Sequence, residues 1–180
     1  NEQDSRHYAI ASKIPMLEPS DSEEAYLFSK SAFELSEKFD TPVILRMCTR
    51  IAHSQSIVET QGRIEAQAKQ YEKNPTKFIM MPGNAIKRHP IVEERTKKLT
   101  EFAENCIYNK IEMGKTEIGI ITSGCSYQYV KGVFGDNASI LKIGMPNPLP
   151  VNLIRDFASK VEKLYVIEEL DPIIETHVKS

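Results

Sequence analysis

The sequence predicts an α/β protein whose last third is a three-layer α/β/α domain built on a parallel sheet. Three observations lead there. Short apolar runs alternate with amphipathic helical stretches between residues 117 and 180, at the spacing of βαβ crossovers. Those runs, "EIGIITSG", "SILKIG" and "LYVIEE", are apolar enough to be covered on both faces. Finally, 41% hydrophobic and 27% charged residues are ordinary values for a chain with a real core.

Taken in order, "IPML" (14–17) reads as a short strand feeding a helix. In "EPSDSEEAYLFSKSAFELSEKFD", Ser20 with Glu23 predicts a capping box. Ala25, Phe28, Ala32, Leu35 and Phe39 then recur at 3 and 4 residues, one apolar helical stripe. Pro42 ends it, because proline disfavours helical geometry in the residue before it. "VILRMC" (43–48) follows as a buried strand. Residues 56–90 hold prolines and glycines without sustained periodicity, so they read as a connector. A helix from about Ile91 places Val92, Leu99, Phe102 and Cys106 on one face. Beyond it come a strand at 117–122, a helix at 126–134, a strand at 139–143, a helix at 151–163, a strand at 164–168 and a last helix opened by Pro172. The three late strands should be mutually parallel.

Composition excludes several classes. No apolar run approaches the roughly 18 residues of a membrane span, and a net charge of −2 offers nothing to nucleic acid. Cys48, Cys106 and Cys125 stand far apart, without a CxxC pair or a histidine at zinc spacing. They read as reduced thiols, with no metal site of the chain's own and a cytoplasmic location.

In an open parallel sheet, ligands and partners meet the carboxyl ends of the strands. "TSGCS" at the first such end could hold an anion on helix N–H groups, but it lacks both phosphate-loop patterns and reads as a strand-to-helix turn. Cys125 has no histidine near it in sequence and reads as a packing thiol. In "EELDP", Asp171 is placed to cap the last helix, and Glu168, Glu169 and Asp171 are interface candidates. Arg46, Arg50 and His53 lie just beyond a buried strand, either in a solvated loop or in a polar contact between domains.

Together, "NEQDSRHYA", "IPMLEPSDSEEAY", "AFELSEKFDTPVILRMCTRIAHS", "KNPTKFIMMPGNAIKRHPIVEER", "GIITSGCSYQYVK", "SILKIGMPNPLP" and "EELDPIIE" resemble the α subunits of indolepyruvate ferredoxin oxidoreductases. These belong to the thiamine-diphosphate-dependent 2-oxoacid:ferredoxin oxidoreductases. The resemblance runs through essentially the whole chain in consecutive order. It implies an internal part of a longer subunit: the C-terminal part of a pyrimidine-binding-type domain (1–55), a connector (56–90) and a transketolase C-terminal-like domain (91–180). The activity implied for the whole enzyme is oxidative decarboxylation of arylpyruvates with coenzyme A. The products would be an aryl-acetyl-CoA, carbon dioxide and reduced ferredoxin. Thiamine diphosphate, Mg2+ and 4Fe–4S clusters would belong to the full enzyme, none of them bound by these residues. A β subunit, the remaining domains and ferredoxin would be the partners. By the same resemblance "NEQDSR" is a polar loop near the substrate, poorly ordered without its neighbours. Arg6 would meet the substrate carboxylate, and Asn1, Gln3 and Asp4 would hold the loop. Competing readings are a non-catalytic organising module and a free-standing nucleotide- or CoA-binding domain.

Overall fold

The computed structural model describes residues 3–63, 65 and 70–180. Its first part runs through helix α1 (Arg6–Ser12), strand β1 (Met16–Leu17), helix α2 (Ser22–Phe39), strand β2 (Ile44–Leu45) and helix α3 (Thr49–His53). β1 and β2 pair in parallel, Met16 opposite Ile44. A single turn, α4 (Pro75–Phe78), precedes the long helix α5 (Pro82–Glu104). Next come β3 (Lys110–Glu112), β4 (Ile118–Ser123), α6 (Ser126–Phe134), β5 (Ser139–Ile143), α7 (Val151–Ala158), β6 (Lys163–Ile167) and α8 (Ile173–Lys179).

The main sheet has the order β3-β5-β4-β6. β4 is parallel to both β5 and β6, as the sequence predicts. Successive side chains of a strand point to opposite faces, and the core divides accordingly. Ile120 and Ile140 pack under α6 with Val130 and Ala138. Ile121, Leu141 and Ile143 pack on the other face against Ile154 and Phe157 of α7 and Ile174 of α8. This is the expected three-layer arrangement. A further cluster joins the rest, with Phe28 and Leu35 of α2, Leu99 and Ala103 of α5, Leu17 and Met145.

Four local expectations are corrected. Residues 6–12 form a helix where a poorly ordered polar loop is expected, because Arg6 and Ala9 are buried on the body of the protein. α5 begins at Pro82 rather than Ile91 and carries Pro90 inside it, so one helix crosses the expected boundary at residue 90. A proline in the first turn forfeits no helical bond. The early turns bury no stripe (Ile86 is 74% exposed), so periodicity does not mark them. The cap of α2 is Asp21, accepting from the Glu24 N–H, one residue later than expected. β3, antiparallel to β5, is unforeseen; two of its three residues are charged and show no strand pattern. Residues 64 and 66–69 of the expected connector lie outside the described residues.

The main chain ties the early and late parts together. Met16 N–H donates to the Asn147 carbonyl (2.9 Å) and Glu18 N–H to the Gly144 carbonyl (2.8 Å). β1 is thus held on one side by β2 and on the other by the segment that leaves β5. The carboxyl ends of both sheets come to one place as a result.

Candidate functional site

Glu18, Arg46, Gly124 and Glu168 each follow directly on the last residue of β1, β2, β4 and β6. Asp4 and Arg6, at the start of α1, complete a buried polar seam with them. Arg6 is 1% exposed. Its Nε donates to both Asp4 carboxylate oxygens (3.0 Å each), and Nη1 donates to Glu168 Oε2 (2.5 Å). Nη2 donates to Asp4 Oδ2 (2.6 Å) and to the carbonyls of Glu169 and Asp171 (2.7 and 2.8 Å). Every guanidinium nitrogen is therefore engaged inside the chain. Burial alone would lower the Arg6 pKa, but the Asp4 hydrogen bond and the charges of Glu18, Asp4 and Glu168 raise it overall. Burial likewise pushes Asp4 up, and Arg6 more than offsets it, leaving Asp4 below its ordinary value.

Glu18 lies deeper. Arg46 Nη1 donates to its Oε1, while its Oε2 has no hydrogen-bond partner. Burial outweighs the charges of Arg46 and Arg6 and holds the Glu18 carboxyl above its ordinary value. Gly124 makes room for it. Its φ is +51°, and a Cβ there would stand 2.6 Å from Glu18 Oε1. The "TSGCS" turn is therefore filled by a carboxylate of the same chain, which leaves the strand-to-helix reading in place.

Glu168 also caps α8. Its two oxygens accept from the N–H groups of Ile174 and Glu175 (3.0 Å each). Asp171, the expected cap, makes no such bond; its carboxylate turns outward to His7 Nε2 (2.7 Å), both side chains exposed. The correction has a simple geometric cause. Glu168 can reach over the Pro172 turn, and an acid at a helix N-terminus is favourable there.

Beside the seam, Cys48, Cys125 and Glu169 bring their donor atoms within 4.8 Å of one another. Both thiols are buried and neither is in a disulfide. Burial, then Cys48 and then Glu169, push Cys125 up to about 12, as befits a packing thiol rather than a nucleophile. An open groove of about 660 Å³ starts at Glu169 and is lined by Arg50, His53, Thr49, Ser54 and Leu170. Arg50 stacks over Tyr129, 5.3 Å from the ring centroid.

A second buried charge joins the two parts. Lys142, inside β5 and 1% exposed, donates to Glu24 Oε1. Glu24 also accepts from the Ser20 N–H and hydroxyl (3.0 Å each), and Lys110 stands 3.4 Å away. The Lys142 ammonium lies 4.8 Å from the Tyr127 ring centroid. Burial raises Glu24, but Lys142 and Ser20 more than reverse it; burial lowers Lys142.

Of the residues expected from sequence, the fold brings Asp4, Arg6, Glu168 and Arg46 into one seam and Arg50, His53 and Glu169 onto one groove. Gln3 accepts from the Tyr8 hydroxyl (3.0 Å) at the surface, and Asn1 lies outside the described residues. Arg6 does not sit in an open loop. Glu18, Glu24 and Lys142 were not anticipated. The signal was present: a lysine within the apolar run "SILKIG" and a glutamate directly after "IPML".

No protein-family profile matches the chain. The structure is similar to a 2-oxoglutarate:ferredoxin oxidoreductase from Magnetococcus marinus, TM-score 0.52 at 16% identity, over 84% of this chain and 34% of that one. At that identity the likeness speaks to the α/β fold. In sequence, the chain is 38% identical over 186 residues to the indolepyruvate oxidoreductase subunit IorA of Archaeoglobus fulgidus, 41% over 193 to that of Thermococcus kodakarensis and 36% over 184 to that of Methanothermobacter thermautotrophicus. Along its whole length the chain is thus similar to indolepyruvate oxidoreductase subunits. It spans about 30% of the length of the curated relatives it matches.

Proposed function

We propose that these residues are part of an enzyme that oxidatively decarboxylates arylpyruvates, indolepyruvate among them, with coenzyme A. It would release an aryl-acetyl-CoA and carbon dioxide and pass electrons to ferredoxin. The observation that carries this reading is identity of 36–41% along the whole chain with indolepyruvate oxidoreductase subunits. Within that enzyme the part described here organises rather than reacts: its buried arginines meet carboxylates of the same chain. Arg6 serves as an anchor for α1 in this reading. Arg50, His53 and Glu169, which line the open groove, form the face turned to another domain or to a β subunit.

The cofactors of such enzymes do not fit these residues. Among the described residues, the one group of three side chains able to share an ion is Cys48, Cys125 and Glu169. Its thiols do not suit Mg2+, which takes oxygen ligands. A 4Fe–4S cluster takes four cysteines, and the chain has three. On this reading, thiamine diphosphate and the clusters are held by other parts of the enzyme.

The test is an assay of the complete α subunit with its β partner, indolepyruvate, coenzyme A and an oxidised ferredoxin. Indoleacetyl-CoA should form with ferredoxin reduction. Turnover of a non-aromatic 2-oxoacid in place of indolepyruvate would overturn the substrate assignment. Arg6→Lys in the intact complex should leave kcat and KM near wild type if Arg6 anchors α1. A rise in KM would return it to the substrate.

A further inference from the structure

We propose that Cys48, Cys125 and Glu169 form a binding site for one thiophilic divalent cation of the Zn2+ class. Sequence spacing argues against a metal site, since the two cysteines are 77 residues apart and no CxxC exists. Spacing speaks only to ligands on one local segment. Here three separate elements supply them: Cys48 at the start of α3, Cys125 on the turn between β4 and α6, and Glu169 beyond β6.

The geometry fits one ion. At the tetrahedral angle, Zn–S bonds of about 2.3 Å and Zn–O bonds of about 2.0–2.2 Å place two ligands of one ion roughly 3.5–3.8 Å apart. All three donor atoms lie within 4.8 Å of one another, so side-chain shifts of no more than about 1 Å bring them onto one ion. The donor set selects the metal. Two sulfurs exclude Mg2+ and Ca2+, which take oxygen ligands, and favour Zn2+ or its spectroscopic substitute Co2+. Both thiols are buried, which shields the ion, while Glu169 borders the open groove. The groove meets the site at Glu169, where it would give an entry path and a fourth position for water. His53, a nitrogen donor, lies on the same groove.

Binding replaces two thiol protons: the ion takes both sulfurs as thiolates and the Glu169 carboxylate, and two protons pass to solvent. The product carries a net charge of −1, with the Arg50 cation on the adjoining groove. The ion would pin the segment after β2 to the carboxyl ends of β4 and β6, alongside the Arg6 seam. This inference does not depend on the identity of the substrate.

The 180-residue chain, freed of metal and kept reduced, is titrated with Co2+. One equivalent should produce a thiolate-to-cobalt charge-transfer band in the near ultraviolet and the strong visible absorption of tetrahedral cobalt. One equivalent of Zn2+ should abolish both, and Zn2+ added to the metal-free protein should release two protons per ion in weakly buffered solution. Cys48→Ser and Cys125→Ser should each lose the charge-transfer band while keeping the far-ultraviolet circular dichroism of the parent. Glu169→Gln should weaken binding more than tenfold, and Cys106→Ala should leave it unchanged. No charge-transfer band at tenfold excess of Co2+ would overturn the proposal. So would a band retained in a folded Cys48→Ser variant, or a single titratable thiol in the untreated protein, which would mean Cys48 and Cys125 are joined as a disulfide.

Discussion

Arg6 and Glu168 are ion-paired at 2.5 Å across 162 residues of sequence, and the same carboxylate holds the first N–H groups of α8. One glutamate thereby joins the first helix to the last. Charge pairs of this kind are seldom a source of stability compared with apolar packing of the same volume. Breaking one side is costly, because the remaining partner stays buried and charged. The seam is therefore a device that fixes where α1 sits.

Arg6→Ala leaves Asp4 and Glu168 buried without the guanidinium they share. We expect a loss of about 3–5 kcal/mol, the range for removing one partner of a buried pair. Arg6→Lys keeps the charge but cannot serve Asp4, Glu168 and two carbonyls at once. It should fall between the two. Urea denaturation of the three proteins checks the order; an Arg6→Ala midpoint equal to wild type would mean the seam is not held this way.

The Glu24–Lys142 pair predicts an asymmetry. Glu24→Gln leaves Lys142 in the interior of β5 with an aromatic ring and no anion. The cost should be about 3–5 kcal/mol. Lys142→Met retains an unbranched apolar chain in the same volume, and Glu24 keeps the Ser20 N–H and hydroxyl and has Lys110 nearby. Its cost should be about half as large. Equal losses in thermal denaturation would contradict the assignment of Lys142 as the group that needs its partner more.

How far the sequence disclosed this arrangement depends on the range of the forces involved. The stripe of α2 and the strands β4, β5 and β6 are legible because burial repeats at 3.6 or 2 residues along a local segment. α6 was placed at its observed ends, with Gly124 marking the turn before it. β3 and the first half of α5 bury too little to leave a pattern. The seam is different in kind. Arg6 and Glu168 could each be picked out as polar residues next to structural elements, yet nothing local pairs them. Sequence position suggested Asp171 as the cap of α8, whereas the turn at Pro172 lets Glu168 arrive from three residues earlier. Buried charges advertise only that a partner exists. Lys142 within "SILKIG" demanded one, and Glu24 could be named only once α2 lay across the sheet.

Glu18 gives the last prediction, in pH dependence. Its ordinary pKa is 4.5, and burial, opposed by Arg46 and Arg6, raises it in the folded protein. A carboxyl with a raised folded pKa binds its proton more tightly when native than when unfolded. Its contribution is therefore most favourable below pH 4.5 and declines as pH rises towards the folded pKa. Asp4 and Glu24, whose folded values are lowered, behave in the opposite sense. They stabilise above their ordinary values of 3.8 and 4.5 and lose that stabilisation as pH falls. Glu18→Gln replaces the protonated carboxyl by a neutral group of nearly the same shape. The variant should match wild type most closely near pH 4.5 and gain on it steadily as pH rises, because wild type alone must then ionise a buried carboxyl or hold its proton against solvent. Thermal midpoints of both proteins between pH 4 and pH 8 measure this difference. If Glu18→Gln instead loses ground as pH rises, the Arg46 pairing outweighs burial and Glu18 is an ordinary ionised partner.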